Sequence, residues 1–484
     1  MQIHAEALGL SSTGRNAPRL AGGLARLASA PKSRFWLLCA DLYPALAAFA
    51  LPWSTTAVSV LLVVWLIVLL PTINLRAFLV SLKRPESFLP VAFFALALLG
   101  MLWADDSWPA RLLGVHPVFK LLAIPLLLYH FSRSQRSSWV FIAFFASCVL
   151  LMACSWVIYF EPGLGSAKIL TAGIPVRNYI DQSQEFSLCL FAAAPVLLTL
   201  ITENRRMQAW CLGGLLLGFY CNMMFVVIAR TAFLYLPVLL IIFAVRYCRP
   251  KATQFLLAAA VVQALVWYAS PNLRNRVDHS LQDYQLSRAS DIATSDAERL
   301  AYWRTSVRSI VAAPVFGHGT GSTKQVFDRE AAGKTGEWAN SVRNPHNQTL
   351  YVAIQWGMLG CFVLYAMWYF QLALFFERNL AAWVGLVVIV QNFISSSVNS
   401  HLFDFDEGWI YVIGVGVAGA MVARAREKAG GNVGANTRAG ENPLTVVANR
   451  AGVQNIGDLN IGDLNVGDLA ARVASGGSLR HYKS

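Results

Sequence analysis

Apolar runs long enough to cross a bilayer dominate this chain, and polar residues are confined to the stretches between them. A helical span needs about 20 predominantly apolar residues. Stretches of that kind lie at roughly 35–53, 56–75, 86–104, 112–131, 138–160, 184–202, 208–228, 231–248, 252–270, 347–376, 379–398 and 408–424. The run from Cys211 to Val245 is too long for a single span. At about 1.5 Å per residue it exceeds a hydrocarbon core of about 30 Å. The pattern therefore predicts two helices with a short turn near Arg230. The expected fold is an all-α polytopic membrane protein. It has about twelve transmembrane helices and a long, partly helical outer loop between the ninth and tenth.

Three parts follow from the same pattern: an N-terminal arm at 1–34, a membrane domain at 35–425 that includes the loop 271–345, and a tail at 426–484. The tail is rich in Gly, Ala and Asn and repeats NIGDL, NIGDL and NVGDL between Asn455 and Leu469. Units so short and few do not bury a core, and the tail is expected to be disordered. Inside the long loop, Leu300, Trp303, Val307 and Ile310 recur at helical spacing. They predict an amphipathic helix over 296–312 that ends near Pro314. Pro345 disfavours helical geometry at Asn344, so the next span starts near His346.

Lysine and arginine set the orientation. Arg15, Arg19, Arg26, Lys32 and Arg34 precede the first span. Every second loop thereafter is basic: Arg76, Lys83 and Arg84; Arg133 and Arg136; Arg205 and Arg206; Arg246, Arg249 and Lys251; then Arg378. The other short loops hold only Arg111, Lys168, Arg177 and Arg230. Both termini are expected to be cytoplasmic, with 271–345 on the far side. In a Gram-negative cell that side is the periplasm, and the chain is a multi-pass inner-membrane protein. The first apolar run is a full span without a small-residue cleavage site, so a secretory signal is not expected.

Composition narrows the function. The chain is 56% hydrophobic and 13% charged, against about 25% charged in soluble proteins. The net charge of +13 lies mainly on loops and tails. Contact with anionic membrane lipids accounts for it, and nucleic acid is not an expected partner. Cys39, Cys148, Cys154, Cys189, Cys211, Cys221, Cys248 and Cys361 lie in or beside spans with no CxxC pair. They read as packing residues, and no metal site is expected.

Candidate chemistry sits on the outer face. Arg230, in VVIARTAFLYLPVLL, is costly among such apolar neighbours and is a site candidate by default. Arg177 lies in IPVRNYIDQSQ, Arg299 starts the loop helix, and His346 stands where the chain re-enters the membrane. NSHLFDFDE adds His401, Asp404 and Asp406. Each has a plainer reading. Arg177 can snorkel to headgroups, Arg299 can be a surface charge, His346 a capping residue, and His318 a turn residue. Asp105 and Asp106 are adjacent and read as solvated loop residues, and Lys120 as a side chain that snorkels or pairs locally. Taken together, the arginines match phosphate oxygens with a planar fork of donors. Histidine exchanges a proton near neutral pH. The set suits transfer from a pyrophosphate-linked lipid, with arginines stabilising the leaving group and His346 deprotonating an attacking hydroxyl.

The segments IARTAFLYL, AERLAYW…APVFGHGTG and HNQTLYVAIQWGMLG, in this order of spans, resemble the O-antigen ligase and polymerase superfamily. The positions that carry the likeness are Arg230, Arg299, Pro314, Gly317, Gly319, His346, Asn347, Gly357 and Gly360, within roughly 35–425. Two positions depart from its pattern: Gln355 where an acidic residue is frequent, and Ala229 where serine is. The resemblance implies a GT-C-like fold and an O-antigen ligase. Such an enzyme moves a glycan from undecaprenyl pyrophosphate to a sugar hydroxyl of lipid A-core on the periplasmic face, with inversion and without metal or other cofactor. It implies catalytic roles for His346, Arg230 and Arg299, and substrate contacts from Arg177, Asn347, His318 and Trp303. The protein is expected to act as a monomer. An O-antigen polymerase or a protein O-oligosaccharyltransferase would use the same chemistry, so the acceptor stays open. A lipid-linked glycan flippase is a further alternative, although it should carry charge through both leaflets.

Overall fold

A computed structural model describes residues 34–164, 173–226, 228–278, 282, 295–333 and 342–438. The N-terminal arm up to 33, the NIGDL repeat and parts of the 271–345 loop lie outside the described residues. The described chain is helical. In order, α1 spans Arg34–Ala50, α2 Thr55–Leu69, α3 Leu75–Ser81, α4 Pro85–Gly100, α5 Trp108–Phe119, α6 Ala123–Phe131, α7 Ser138–Phe160 and α8 Tyr179–Thr202. Then come α9 Arg206–Cys221, α10 Ala232–Tyr247, α11 Ala252–Ala269, α12 Ser295–Ala312, α13 Thr323–Ala331, α14 Gln348–Ala373, α15 Leu380–Ser395 and α16 Phe405–Arg438. Among the described residues, 8 helices are long and apolar enough to cross a membrane, and Pro85–Gly100, Ala232–Tyr247 and Leu380–Ser395 are shorter apolar helices. Every apolar stretch read from the sequence coincides with a helix, so the protein is a polytopic membrane protein.

Three local features position the candidate residues. The first is at the expected turn: α9 ends in a π-helical segment, Asn222–Val226, and α10 starts at Ala232, which leaves Arg230 in the connection. The second is the start of α8. Asn178 caps it, accepting from the N–H groups of Ile180 and Asp181 at 2.8 and 3.0 Å. The helix therefore begins at Tyr179, before the expected 184, and its first turns carry Asp181, Gln182, Ser183, Gln184 and Glu185, all buried.

The third feature is a break inside α14 at Gly357, whose φ is +59°. The break removes the helical pairing of Met358 with Ile354 and of Leu359 with Gln355. All four backbone groups are recovered from the glycine turn that follows α12. Met358 and Leu359 donate to the carbonyls of Pro314 and Val315 at 2.8 and 3.2 Å. Ile354 and Gln355 accept from His318 and Gly319 N–H, both at 2.8 Å. Unpaired backbone at membrane depth costs several kcal/mol per group (roughly), so turn and helix hold each other open. A Cβ at Gly357 would lie 2.4 Å from the Val315 carbonyl oxygen, and one at Gly317 would lie 2.5 Å from Gln355 C. Only glycine fits at either position.

The plainer readings of several residues are seen directly. Lys120 is buried and donates to the main-chain carbonyls of Phe403, at 3.0 Å, and Asp404. Asp105 pairs with Arg329 at 2.8 Å, and Asp106 accepts from Ser107 N–H at 2.6 Å. The cysteines are all free.

Candidate active site

The polar start of α8 is the hub of the candidate cluster. Gln182 Nε2 donates to Ser155 on α7 and to Asn222 in the π segment, both at 3.1 Å. Ser183 Oγ accepts from Ala229 N–H at 3.0 Å, which fixes the backbone next to Arg230. Gln184 Nε2 lies 2.7 Å from His401 Nδ1. Three consecutive residues thus bind three different segments: the π helix, the Arg230 turn and the loop before α16. The Arg230 side chain is half-buried in that turn.

Arg177 precedes the hub in a left-handed conformation, φ +60°. It forms an ion pair with Asp406 and lies 5.9 Å over the Phe405 ring, both at the start of α16. An exposed lysine or arginine snorkelling to headgroups would not do this. Arg177 instead ties α8 to α16.

His346 is half-buried just ahead of α14, with φ +52°. Its N–H donates to Asn344 Oδ1 at 2.9 Å. Its Nδ1 lies 2.9 Å from Asn399 Oδ1. With the Asn399 amide in this orientation its oxygen only accepts, an arrangement that puts the His346 proton on Nδ1 and leaves Nε2 its lone pair. Asn399 Nδ2 in turn lies 2.8 Å from His401 Nε2. The Tyr302 ring of α12 faces His346 at 6.5 Å between centroids. Burial lowers the His346 pKa below the ordinary histidine value. The Asn399 bond opposes that shift, the Arg299 charge adds to it, and Glu298 opposes it. His401 is fully buried, with Glu407 at 3.8 Å, and burial, Arg299 and His346 push it down to about 3. Arg299 therefore acts on both histidines, and the loop helix delivers its charge to the re-entry point.

The remaining candidates have their polar atoms engaged within the protein. Asn347 caps α14, accepting from Leu350 N–H at 3.0 Å, and its Nδ2 donates to Ser397 O at 2.7 Å. Trp303 Nε1 donates to Pro345 O at 3.1 Å, which pins α12 to the segment before His346. His318 Nε2 lies 2.9 Å from the Ser309 carbonyl, closing the glycine turn onto α12. These bonds hold the site together. Asn399 and Gln184 went unnoticed in the sequence. The available signal was DQSQE, a polar run continuing directly into an apolar span.

Two cavities flank the cluster. One, of about 680 Å³, lies among α8, α9, α10 and α11 and is lined almost wholly by apolar side chains. Its lining includes Ile228 and Phe233, on either side of Arg230. The other, of about 580 Å³, lies beside α5 and α13, and polar side chains, His116, Lys324, Asp328, Arg343 and Tyr351, share its lining with apolar ones.

Residues 213–366 match the family model described as O-Antigen ligase. The matched range contains Arg230, Arg299, the glycine turn, His346 and the break at Gly357. No curated protein matches the chain.

Proposed function

We propose that this O-antigen ligase-family protein transfers a glycan from a polyprenyl-pyrophosphate donor to a sugar hydroxyl of lipid A-core at the outer face of the bacterial inner membrane. The observation that carries the reading is His346. Asn399 Oδ1 faces its Nδ1 at 2.9 Å, an arrangement that leaves Nε2 to accept a proton beside the Arg299 charge.

In this reading the prenyl chain lies in the apolar cavity between α8 and α11. Its headgroup emerges next to Arg230. Arg230 and Arg299 bind the pyrophosphate with their guanidinium forks. Arg177, already paired with Asp406, sets the position of α8 relative to α16. The acceptor saccharide occupies the cleft next to Arg343 and Tyr351. His346 Nε2 takes the proton of the acceptor hydroxyl as its oxygen attacks the anomeric carbon from the face opposite the pyrophosphate. The new C–O bond forms, the bond to the pyrophosphate oxygen breaks, and the configuration inverts. The leaving group departs as undecaprenyl pyrophosphate, its charge held by the arginines. The distribution of basic loops supports cytoplasmic termini and a periplasmic site.

The test is transfer in vitro, with purified protein, undecaprenyl-pyrophosphate-linked glycan and lipid A-core, and no added metal or nucleotide. Wild type and Arg230→Ala are compared on a gel that separates capped from uncapped acceptor. A wild-type ladder that disappears in the variant supports the reading. No ladder from folded wild type sinks the lipid A-core acceptor, and exchanging only the acceptor then tests the polymerase and protein-acceptor readings.

A further inference from the structure

His346, Asn399, His401 and Gln184 are joined in that order by contacts of 2.9, 2.8 and 2.7 Å. Held down at about 3, His401 is neutral and carries one ring proton. Such a ring donates once and accepts once. Asn399 and Gln184 must therefore present it with opposite ends of their amides. Amide oxygen and nitrogen are alike in size, so bonding decides which end points where.

Two patterns satisfy the chain. In the first, Asn399 turns Nδ2 to His401 and Oδ1 to His346, and Gln184 turns its oxygen to His401 Nδ1–H. His346 then keeps its proton on Nδ1 and offers Nε2 as a base. In the second, Gln184 points its NH2 at His401 and Asn399 rotates. The His346 proton moves to Nε2, where the ring can no longer accept one. The first pattern turns the Gln184 amide over from the orientation in the structure, where Nε2 faces His401 Nδ1 at 2.7 Å, and it gives up the contact from Gln391. The Gln184 oxygen has a neighbour in Gln391 Nε2 at 3.3 Å, but that group already donates to the Gln184 main-chain carbonyl at 2.8 Å.

We infer that Asn399, oriented by His401 and Gln184, is the positioning residue that selects the base-competent tautomer of His346. This rests on the transfer reading above. The charged and titratable groups facing His346 are Glu298, Arg299 and Tyr302 of α12 and, through Asn399, His401; those facing His401 are Arg299, His346 and Glu407.

The test is a rescue. His401→Phe frees the Asn399 amide, and kcat is expected to fall about tenfold to a hundredfold with donor and acceptor KM unchanged. Adding Asn399→Asp to that variant restores kcat, because a carboxylate offers only oxygen to Nδ1–H whichever way it turns. Asn399→Asp also moves the acid limb of kcat/KM to higher pH, since a carboxylate beside the ring favours its protonated form. The tautomer is read without activity by 15N NMR of histidine-labelled protein in nanodiscs, with the His346 signal identified by its loss in His346→Gln. Wild type shows Nδ1–H, and His401→Phe shows a mixture. An unchanged His346 tautomer in His401→Phe, or a kcat loss that Asn399→Asp fails to restore, overturns the inference. A tautomer that shifts as expected in a protein with no transfer activity would support the inference and remove only the reading of function.

Discussion

The side-chain oxygen of Gln355 accepts a hydrogen bond from the Gly321 main-chain N–H at 2.8 Å. This bond joins the broken helix α14 to the glycine turn from a residue whose own carbonyl already receives Gly319 N–H at 2.8 Å. The side chain is buried, and its Nε2 also donates to the Tyr351 main-chain carbonyl at 3.4 Å. Gln355→Glu keeps the acceptor but buries an ionisable carboxyl, and is expected to lower thermal stability in detergent increasingly as pH rises. Gln355→Leu leaves the Gly321 N–H without its partner and is expected to cost about 1–3 kcal/mol. A Leu variant that melts with wild type would show that the bond contributes nothing.

Substitution at the break itself is harsher. In Gly357→Ala the new methyl meets the Val315 carbonyl oxygen at 2.4 Å, in a backbone conformation that alanine disfavours. The expected result is a fall of several degrees in melting temperature and loss of transfer activity, seen by thermal unfolding and the gel assay in parallel.

The charge of Arg299 sets a pH dependence with a definite sign. Arg299 lowers the His346 pKa, adding to the effect of burial. The neutral base therefore persists below the ordinary histidine value and is lost as pH falls through the lowered one. Removing the cation favours protonated His346. Arg299→Ala is expected to shift the acid limb of kcat/KM to higher pH, besides lowering its plateau. A lowered plateau with the limb in place would separate Arg299 from the base.

Arg230 is proposed to grip pyrophosphate with a planar fork, which lysine lacks. Arg230→Lys keeps the charge but is expected to lose at least about tenfold in kcat/KM for the donor. Recovery of wild-type rates by lysine would reduce Arg230 to a point charge.

The apolar cavity gives a prediction specific to chain length. Ala259 lines it, and Ala259→Trp would fill part of the space. The KM for an undecaprenyl donor should rise, while a donor with a two- or three-unit prenyl chain should be much less affected. Equal effects on both donors would remove the cavity as the lipid site.

Hydropathy made the spans legible, because a bilayer demands long apolar runs. The excess length of the Cys211–Val245 run located the Arg230 turn, and helical periodicity located α12. The start of α8 was hidden for the opposite reason. Asp181 to Ser183 read as loop by polarity, yet they are buried in the helix start, where distant segments partner Gln182 and Ser183. The break at Gly357 was hidden inside an apolar stretch, where a glycine carries no signal until its partner turn is known. His401 was noticed only as one of several polar residues. Asn399 drew no notice at all, since a neutral amide leaves no mark in charge or hydropathy.

Because the carbonyls and amides exposed at Gly357 are completed by residues 314–319, these two pieces of sequence behave as a single heritable part. Exchange of this loop between related proteins must carry residues 354–359 along with 295–333. A graft of the loop alone would set an unmatched turn against an open helix.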